Sequence, residues 1–367
     1  MYTQTDLDDA VAAGALSAEA AASLRTHIEG QRATPVVDEE QFRLLTGFND
    51  IFVSIASAIL LFAVAWIGQR AGMALGMAID GEGPTPLGGV AVAATAWGLA
   101  TYFTGRRRMA LPSIVLLLAF VGGVFAAAAI ALVLAFGPDH FEDSPQLAGL
   151  LAAVAGAVAA AGAWLHWKRF RVPITVAAGT AAVGAIAVGL LIAALGDIPN
   201  MHDIVLGFVL LLGLGAFLFA MRWDSSDRAR LTRRSDVAFW LHLLAAPMIV
   251  HPVFTLLGLN DGQASLGEGF VVILLYVVLG IAALAIDRRA LLVSALAYVL
   301  WAMTDLFERF GAVELSVALT ALVIGSALLL LSAFWNQARA AVVRPLPETL
   351  QGRLPLINRA VSSQPAA

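Results

Sequence analysis

The chain alternates long apolar blocks with short charged connectors, and this alternation constrains its fold more than any other feature. Blocks such as 51–67 and 111–136 approach or exceed the roughly 20 apolar residues that cross about 30 Å of hydrocarbon. Hydrophobic residues make up 60% of the sequence and charged residues 13%, against roughly 45–50% and about 25% in soluble domains. The blocks therefore predict membrane-spanning helices and not the buried helices of a soluble core.

We predict an all-α integral membrane bundle of about ten transmembrane helices. The predicted spans lie near 46–68, 87–104, 110–136, 147–166, 173–195, 204–221, 237–257, 269–286, 290–308 and 313–335. This transmembrane domain covers 44–336. A short cytoplasmic helical segment and linker at 1–43 precedes it, and a disordered cytoplasmic tail at 337–367 follows it.

The charges of the connectors are sorted by side, which tests the span count independently of hydropathy. Every second connector is rich in arginine and lysine, at 106–108, 168–171, 222–234 and 288–289, and the remaining connectors carry mainly carboxylates. Short basic loops stay in the cytoplasm. The pattern therefore predicts a bacterial inner-membrane protein with both termini in the cytoplasm. We expect no cleaved signal peptide, because 1–43 has no basic stretch leading into an apolar one.

A repeat is visible in the outward-going spans, each of which ends with an apolar residue and a glycine. Glycine at this position is typical of a helix C-cap with positive φ. The glycines are Gly68, Gly137, Gly196, Gly258 and Gly311. The basic connectors recur about every sixty residues, which indicates either a row of repeated helical hairpins or the regular spacing of any polytopic protein.

Local signals predict two further features. Residues 5–13 and 17–30 are typical of two short helices, separated at Gly14, with Ser17 as the N-cap of the second. Gly149, Gly156 and Gly189 predict close packing of the fourth and fifth spans, because small residues let helix backbones approach in lipid.

Ionisable residues inside the spans are the first candidates for function, because burying charge in hydrocarbon is costly. Asp50 in the first span could bind a proton or cation, or could be an interfacial carboxylate held by a neighbouring helix. His242 and His251 in the seventh span could relay protons. Nine residues of helix are about two and a half turns, so these histidines face opposite ways unless Pro247 bends the span.

The ninth span carries a polar stripe at helical spacing. Tyr298, Trp301 and Asp305 fall on one face and could line a path that opens to the outer side. Alternatively, Asp305 pairs with Arg309 four residues later at the interface.

The basic connector between the sixth and seventh spans holds the densest cationic patch, formed by Arg228, Arg230, Arg233 and Arg234. Such a patch attracts anionic lipids or a protein partner at the cytoplasmic face, although positive-inside topology explains it equally well. No basic domain with aromatic platforms accompanies it, so nucleic-acid binding is not indicated.

Enzymatic function is not indicated either. The sequence has no cysteine and no HExxH, P-loop or GxSxG motif, so it predicts neither a metal nor another cofactor.

Two segments carry a resemblance. The stretches DEEQFRLLTGFNDIFV at 38–53 and DVAFWLHLLAAP at 236–247 resemble uncharacterised polytopic inner-membrane proteins of proteobacteria with a short helical N-terminus. The resemblance implies a multi-pass fold and no biochemical role. The ten-span topology is also similar to that of drug and metabolite transporters.

Together these patterns predict a transporter-like or permease-like protein for a small solute. Its path would lie between the first, seventh and ninth spans. The alternative is a non-transporting scaffold or sensor that meets a partner or lipid through its cytoplasmic face. A permease predicts a polar cavity at the buried ionisable groups, whereas a scaffold predicts that neighbouring helices close them off.

Overall fold

The structure is a computed structural model that describes residues 11–24, 48–138, 140, 144–228, 230, 232–258, 266–289, 291–292, 296, 299–300, 304 and 316–355. All regular secondary structure in these residues is helical. The chain divides into two compact units, one formed by 1–42 with 358–367 and the other by 43–357. In the first unit, Gly14 has a φ of 73° and the amide of Ala20 donates to Ser17 Oγ at 3.1 Å. The predicted helix break and N-cap are confirmed.

The second unit is built from long helices in chain order. Its helices are α1 Phe48–Ala74, α2 Pro86–Phe103, α3 Ala110–Phe136, α4 Pro145–Phe170, α5 Ile174–Leu195, α6 Met201–Ser225, α7 Arg233–Leu256, α8 Leu266–Ile286, α9 Ser316–Ala333, α10 Trp335–Val343 and α11 Glu348–Gln351. The predicted ninth span falls largely outside the described residues.

Six of the described helices, α1 and α3 to α7, are long and apolar enough to cross a membrane. The pair α9 and α10, bent by 76° at Phe334, raises the number among the described residues to seven if the pair is one span. Large apolar side chains cover their outer surfaces; on α1, Phe52, Ile59 and Phe62 are 65%, 65% and 72% exposed. An exposed apolar surface of this extent is unfavourable in water but is compatible with the hydrocarbon of a membrane.

Neighbouring helices pack as antiparallel pairs, most extensively α2 with α3, α4 with α5 and α6 with α7. Glycines permit the closest approaches. A Cβ added to Gly149 would lie 2.5 Å from the carbonyl oxygen of Gly189, and one added to Gly89 would lie 2.6 Å from that of Gly123. The predicted close packing of the fourth and fifth spans is confirmed.

The glycine caps are only partly as predicted. Gly137 and Gly196 follow α3 and α5 directly, Gly258 follows α7 by two residues, and all three have positive φ. Gly68 was wrongly predicted to end the first helix, which continues to Ala74. An added Cβ at Gly68 would lie 2.6 Å from a backbone oxygen of α2, so this glycine serves packing. Gly311 lies outside the described residues.

The C-terminal segment differs from the predicted disordered tail. Residues 337–355 continue through α10 and α11. Trp335, Arg339 and Val343 repeat every fourth position, so they share one face of α10, and they are 5%, 2% and 1% exposed. Burial of this face against α8 stabilises the part of the tail that the structure describes.

Candidate functional site: a buried arginine–aspartate network

The most unusual feature of the structure is a group of buried ionisable side chains, with one tryptophan, where α6, α7, α8 and α10 meet. Each is at most 8% exposed. We call this group the arginine–aspartate network, and its members are Asp224, Arg230, His242, Asp287, Arg288, Trp335 and Arg339. Buried charges are costly unless they are paired and hydrogen-bonded.

One half of the network is centred on Asp224 near the end of α6. Arg288 approaches its carboxylate with two nitrogens: Nη2 donates to Oδ1 at 2.5 Å and Nε donates to Oδ2 at 3.2 Å. His242 Nε2, from the middle of α7, lies 3.1 Å from Oδ2. Arg288 Nη2 also donates to the carbonyl oxygen of Ser235 at 3.0 Å. The two-pronged contact fixes the guanidinium in both position and orientation.

The other half is centred on Asp287, directly after α8. Arg230 Nη1 donates to Oδ2 at 3.0 Å and Trp335 Nε1 donates to Oδ1 at 2.8 Å. Arg339 Nε lies 3.7 Å from Oδ1. Arg230 Nη2 also donates to the carbonyl oxygens of Ile286 and Asp287 at 3.0 and 2.9 Å. The Asp287 carboxylate therefore links the α6–α7 connector and the segment after α8 to α10.

The two halves are reciprocal. The α6–α7 connector supplies Arg230 to Asp287, and the segment after α8 supplies Arg288 to Asp224 at the end of α6. Arg230 and Asp287 both have left-handed backbones, with φ of 54° and 56°. Such a conformation costs roughly 1–2 kcal/mol for a residue with a Cβ. The ion pairs hold both connectors in these turns.

Further arginines fasten the C-terminal segment to the same end of the bundle. Arg228 donates from Nε to the carbonyl oxygen of Leu354 at 2.8 Å and from Nη2 to that of Gln351 at 2.9 Å. Arg339 Nη2 donates to the carbonyl oxygen of Pro355 at 2.7 Å. The segment 351–355 therefore lies on the same side as the basic connectors.

The charged groups of the network contact one another. Asp224 and His242 could offer two metal ligands, but Arg288 occupies the carboxylate, and no group of three His, Cys, Asp or Glu side chains in the described part of the chain could hold a metal. His242 is 0% exposed and packs edge-on against Phe217 with ring centroids 5.2 Å apart.

A small pocket of about 140 Å³ lies beside the network. The guanidinium of Arg289 stands over the Trp335 ring, 4.9 Å from its centroid, at one end of this pocket. Its described lining consists of Tyr276, Arg289, Leu292, Leu296, Leu328, Leu331, Ser332 and Trp335. A second, apolar groove of about 610 Å³ runs between α2, α3 and α4. Neither of these two pockets is lined by His242 or Asp50.

The residues predicted for a transport path are placed apart or lie outside the described residues. Asp50 is 2% exposed in the first turn of α1. His242 belongs to the network, and His251 is exposed, so the two histidines face different surroundings, as their spacing predicted. Tyr298, Trp301 and Asp305 lie outside the described residues, and the proposed path through them remains a prediction.

The predicted cationic patch divides in two. Arg228 and Arg230 bond to other parts of the protein as described above, whereas Arg233 and Arg234 at the start of α7 are exposed. Attraction of anionic lipid to this patch remains a prediction, and it would now depend chiefly on the two exposed arginines.

Sequence reasoning found His242 and Arg230 but missed Asp224, Asp287 and their arginine partners Arg288 and Arg339. A signal was present. Asp224 and Asp287 are carboxylates in or beside connectors whose net charge is positive, where the sum of charges conceals them. An acid in such a connector is a candidate for pairing with an arginine from a neighbouring one.

The helices and the lipid-compatible surface define the class: an all-helical, multi-pass membrane protein. No known protein family matches the chain, and neither a curated protein nor a solved structure shows significant similarity to it.

Proposed function

We propose that this protein is a non-transporting scaffold or sensor of the bacterial inner membrane, whose cytoplasmic face binds lipid or a protein partner. The single observation that carries this proposal is that the buried ionisable side chains of the arginine–aspartate network pair with one another. In a permease, a proton-relaying histidine needs a polar path to water. His242 instead meets Asp224 and Phe217, and the network links α6, α7, α8 and α10 at one end of the bundle.

The proposed topology has ten spans with both termini in the cytoplasm. It is supported by the sorting of arginines and carboxylates onto alternate connectors. A repeated-hairpin origin is supported by the recurrence of the basic connectors about every sixty residues. We further propose membership of the uncharacterised proteobacterial proteins that segments 38–53 and 236–247 resemble.

A small-solute permease is the second candidate. One observation favours it: Asp50 is a carboxylate buried within an apolar helix, and ionisable groups in spans often mark ion or substrate paths. Such a path would combine Asp50 with Tyr298, Trp301 and Asp305 of the ninth predicted span.

Cysteine labelling separates the two candidates, since the natural chain has no cysteine. Ala246 lies one turn from His242 on α7, is 1% exposed and packs against Ala283 and Leu284. We expect Ala246→Cys to resist a water-soluble maleimide from both sides of the membrane until the protein is denatured. Ser225→Cys, at an exposed position of α6, is the labelled control. Labelling of folded Ala246→Cys would overturn the scaffold proposal and favour the permease.

A further inference from the structure

The pocket beside Arg289 and Trp335 has the chemistry of a lipid-binding site. We propose that it binds a membrane phospholipid with an anionic head group, with the phosphate at Arg289 and an acyl chain along the leucines. This inference rests on the proposed function for its cytoplasmic orientation, and it names the ligand of that face.

The pocket has an apolar body, and Arg289 is the charged residue among its described lining. Tyr276 and Ser332 add hydroxyl groups, and four leucines with Trp335 supply the rest of the surface. The Tyr276 hydroxyl oxygen is buried and has no hydrogen-bond partner among the described residues. A buried hydroxyl without a partner costs free energy, and a phosphate oxygen would accept a hydrogen bond from it. Arginine is well suited to phosphate because its planar fork donates two parallel hydrogen bonds.

The size of the pocket suits part of a lipid. A volume of about 140 Å³ exceeds the roughly 30 Å³ that one water molecule occupies in the liquid several times over. It therefore has room for a phosphate group or a few methylenes. The remainder of a phospholipid would lie outside the pocket, against the protein surface.

The surroundings of the pocket indicate that the ligand arrives from the bilayer. Ser332 is exposed at its edge. Next to it, Leu329, Leu330 and Phe334 are 73%, 60% and 55% exposed, which forms a lipid-facing apolar surface. The 76° bend between α9 and α10 falls at the same place. A bend from a span into an amphipathic helix marks the head-group level, where anionic lipids gather around basic side chains.

The test is a thermal-unfolding measurement on the full chain in an uncharged detergent, with three additives. We expect phosphatidylglycerol to raise the Tm, as a ligand of the folded state does. Phosphatidylcholine with the same acyl chains and inorganic phosphate should each give less than about a third of that shift. In Arg289→Gln, the phosphatidylglycerol shift should fall by at least half.

Two further variants make the result specific. Arg233→Gln removes an exposed arginine from the start of α7, at the same end of the bundle, and should retain the full shift. Leu328→Trp fills the apolar body while leaving Arg289 in place, and it should lose the shift as well. Because each variant is compared with its own lipid-free Tm, a lower starting stability does not obscure the result.

Several outcomes would overturn the proposal. Equal losses in Arg289→Gln and Arg233→Gln would mean that general surface charge attracts the lipid. A shift with inorganic phosphate as large as with phosphatidylglycerol would identify a soluble anion as the ligand. No lipid preference in the natural protein would refute the site altogether. Labelling at Ala246→Cys bears only on the scaffold proposal, so either proposal can fail while the other stands.

Discussion

Neutralising Asp224 should strongly destabilise the protein, because it leaves a buried arginine without its counter-charge. Asp224→Asn keeps the shape of the side chain but leaves the guanidinium of Arg288, 3% exposed, without its counter-charge. Removing one partner of a buried ion pair costs about 3–5 kcal/mol, because the other charge stays buried. Arg288→Met should cost a similar amount, since it leaves the carboxylate with His242 alone.

A double variant tests whether the stability costs of the two single changes are coupled or independent. Asp224→Asn with Arg288→Met removes both charges, so it should cost less than the sum of the single changes by about 2 kcal/mol or more. The free energy of unfolding is measured by titrating detergent-solubilised protein with sodium dodecyl sulfate and following helicity. Asp203→Asn, at an exposed site in the first turn of the same helix, should change it by no more than about 0.5 kcal/mol. Additive single costs, or an Asp224→Asn variant as stable as the natural protein, would refute the reasoning.

Two other changes have outcomes that the contacts dictate. Gly149→Ala should lower the Tm by several degrees, because its Cβ would lie 2.5 Å from the Gly189 carbonyl oxygen and overpacking costs about 1–3 kcal/mol. Gly207→Ala, with nothing within 4 Å of the added carbon, should leave the Tm unchanged or raise it; equal effects of the two would contradict the proposed crossing. Trp335→Phe should cost about 1–3 kcal/mol in the same unfolding titration, since Asp287 loses a buried hydrogen bond of 2.8 Å, and unchanged stability would argue against that contact.

The helices were predictable where hydropathy alone decides their extent. The third span was predicted at 110–136 and α3 occupies Ala110–Phe136; the fifth was predicted at 173–195 and α5 occupies Ile174–Leu195. The prediction failed at Gly68, because a glycine can either cap a helix or let two helices pack closely. Gly68 resembles a helix cap in the sequence, but it gives α2 room to approach α1, and only the packed structure distinguishes these roles.

The site was less predictable, because its contacts join distant parts of the chain. Arg288 and Asp224 are 64 residues apart, and Arg230 and Asp287 are 57 apart, so no helical or strand periodicity relates them. The positive-inside rule also considers the basic residues of a connector, so it does not single out the acidic residues within it. His242 could be singled out as a buried ionisable residue, but its partner depended on which helices pack together.

The side of the membrane on which the network lies is the claim on which the account depends most. Arg228 binds the carbonyl oxygens of Gln351 and Leu354, so a reporter fused after Ala367 tests that side from a segment attached to the network. We predict that a green fluorescent protein fused there in bacterial cells is fluorescent and that alkaline phosphatase fused there is inactive. An active phosphatase with no fluorescence would place the arginines outside and contradict the account.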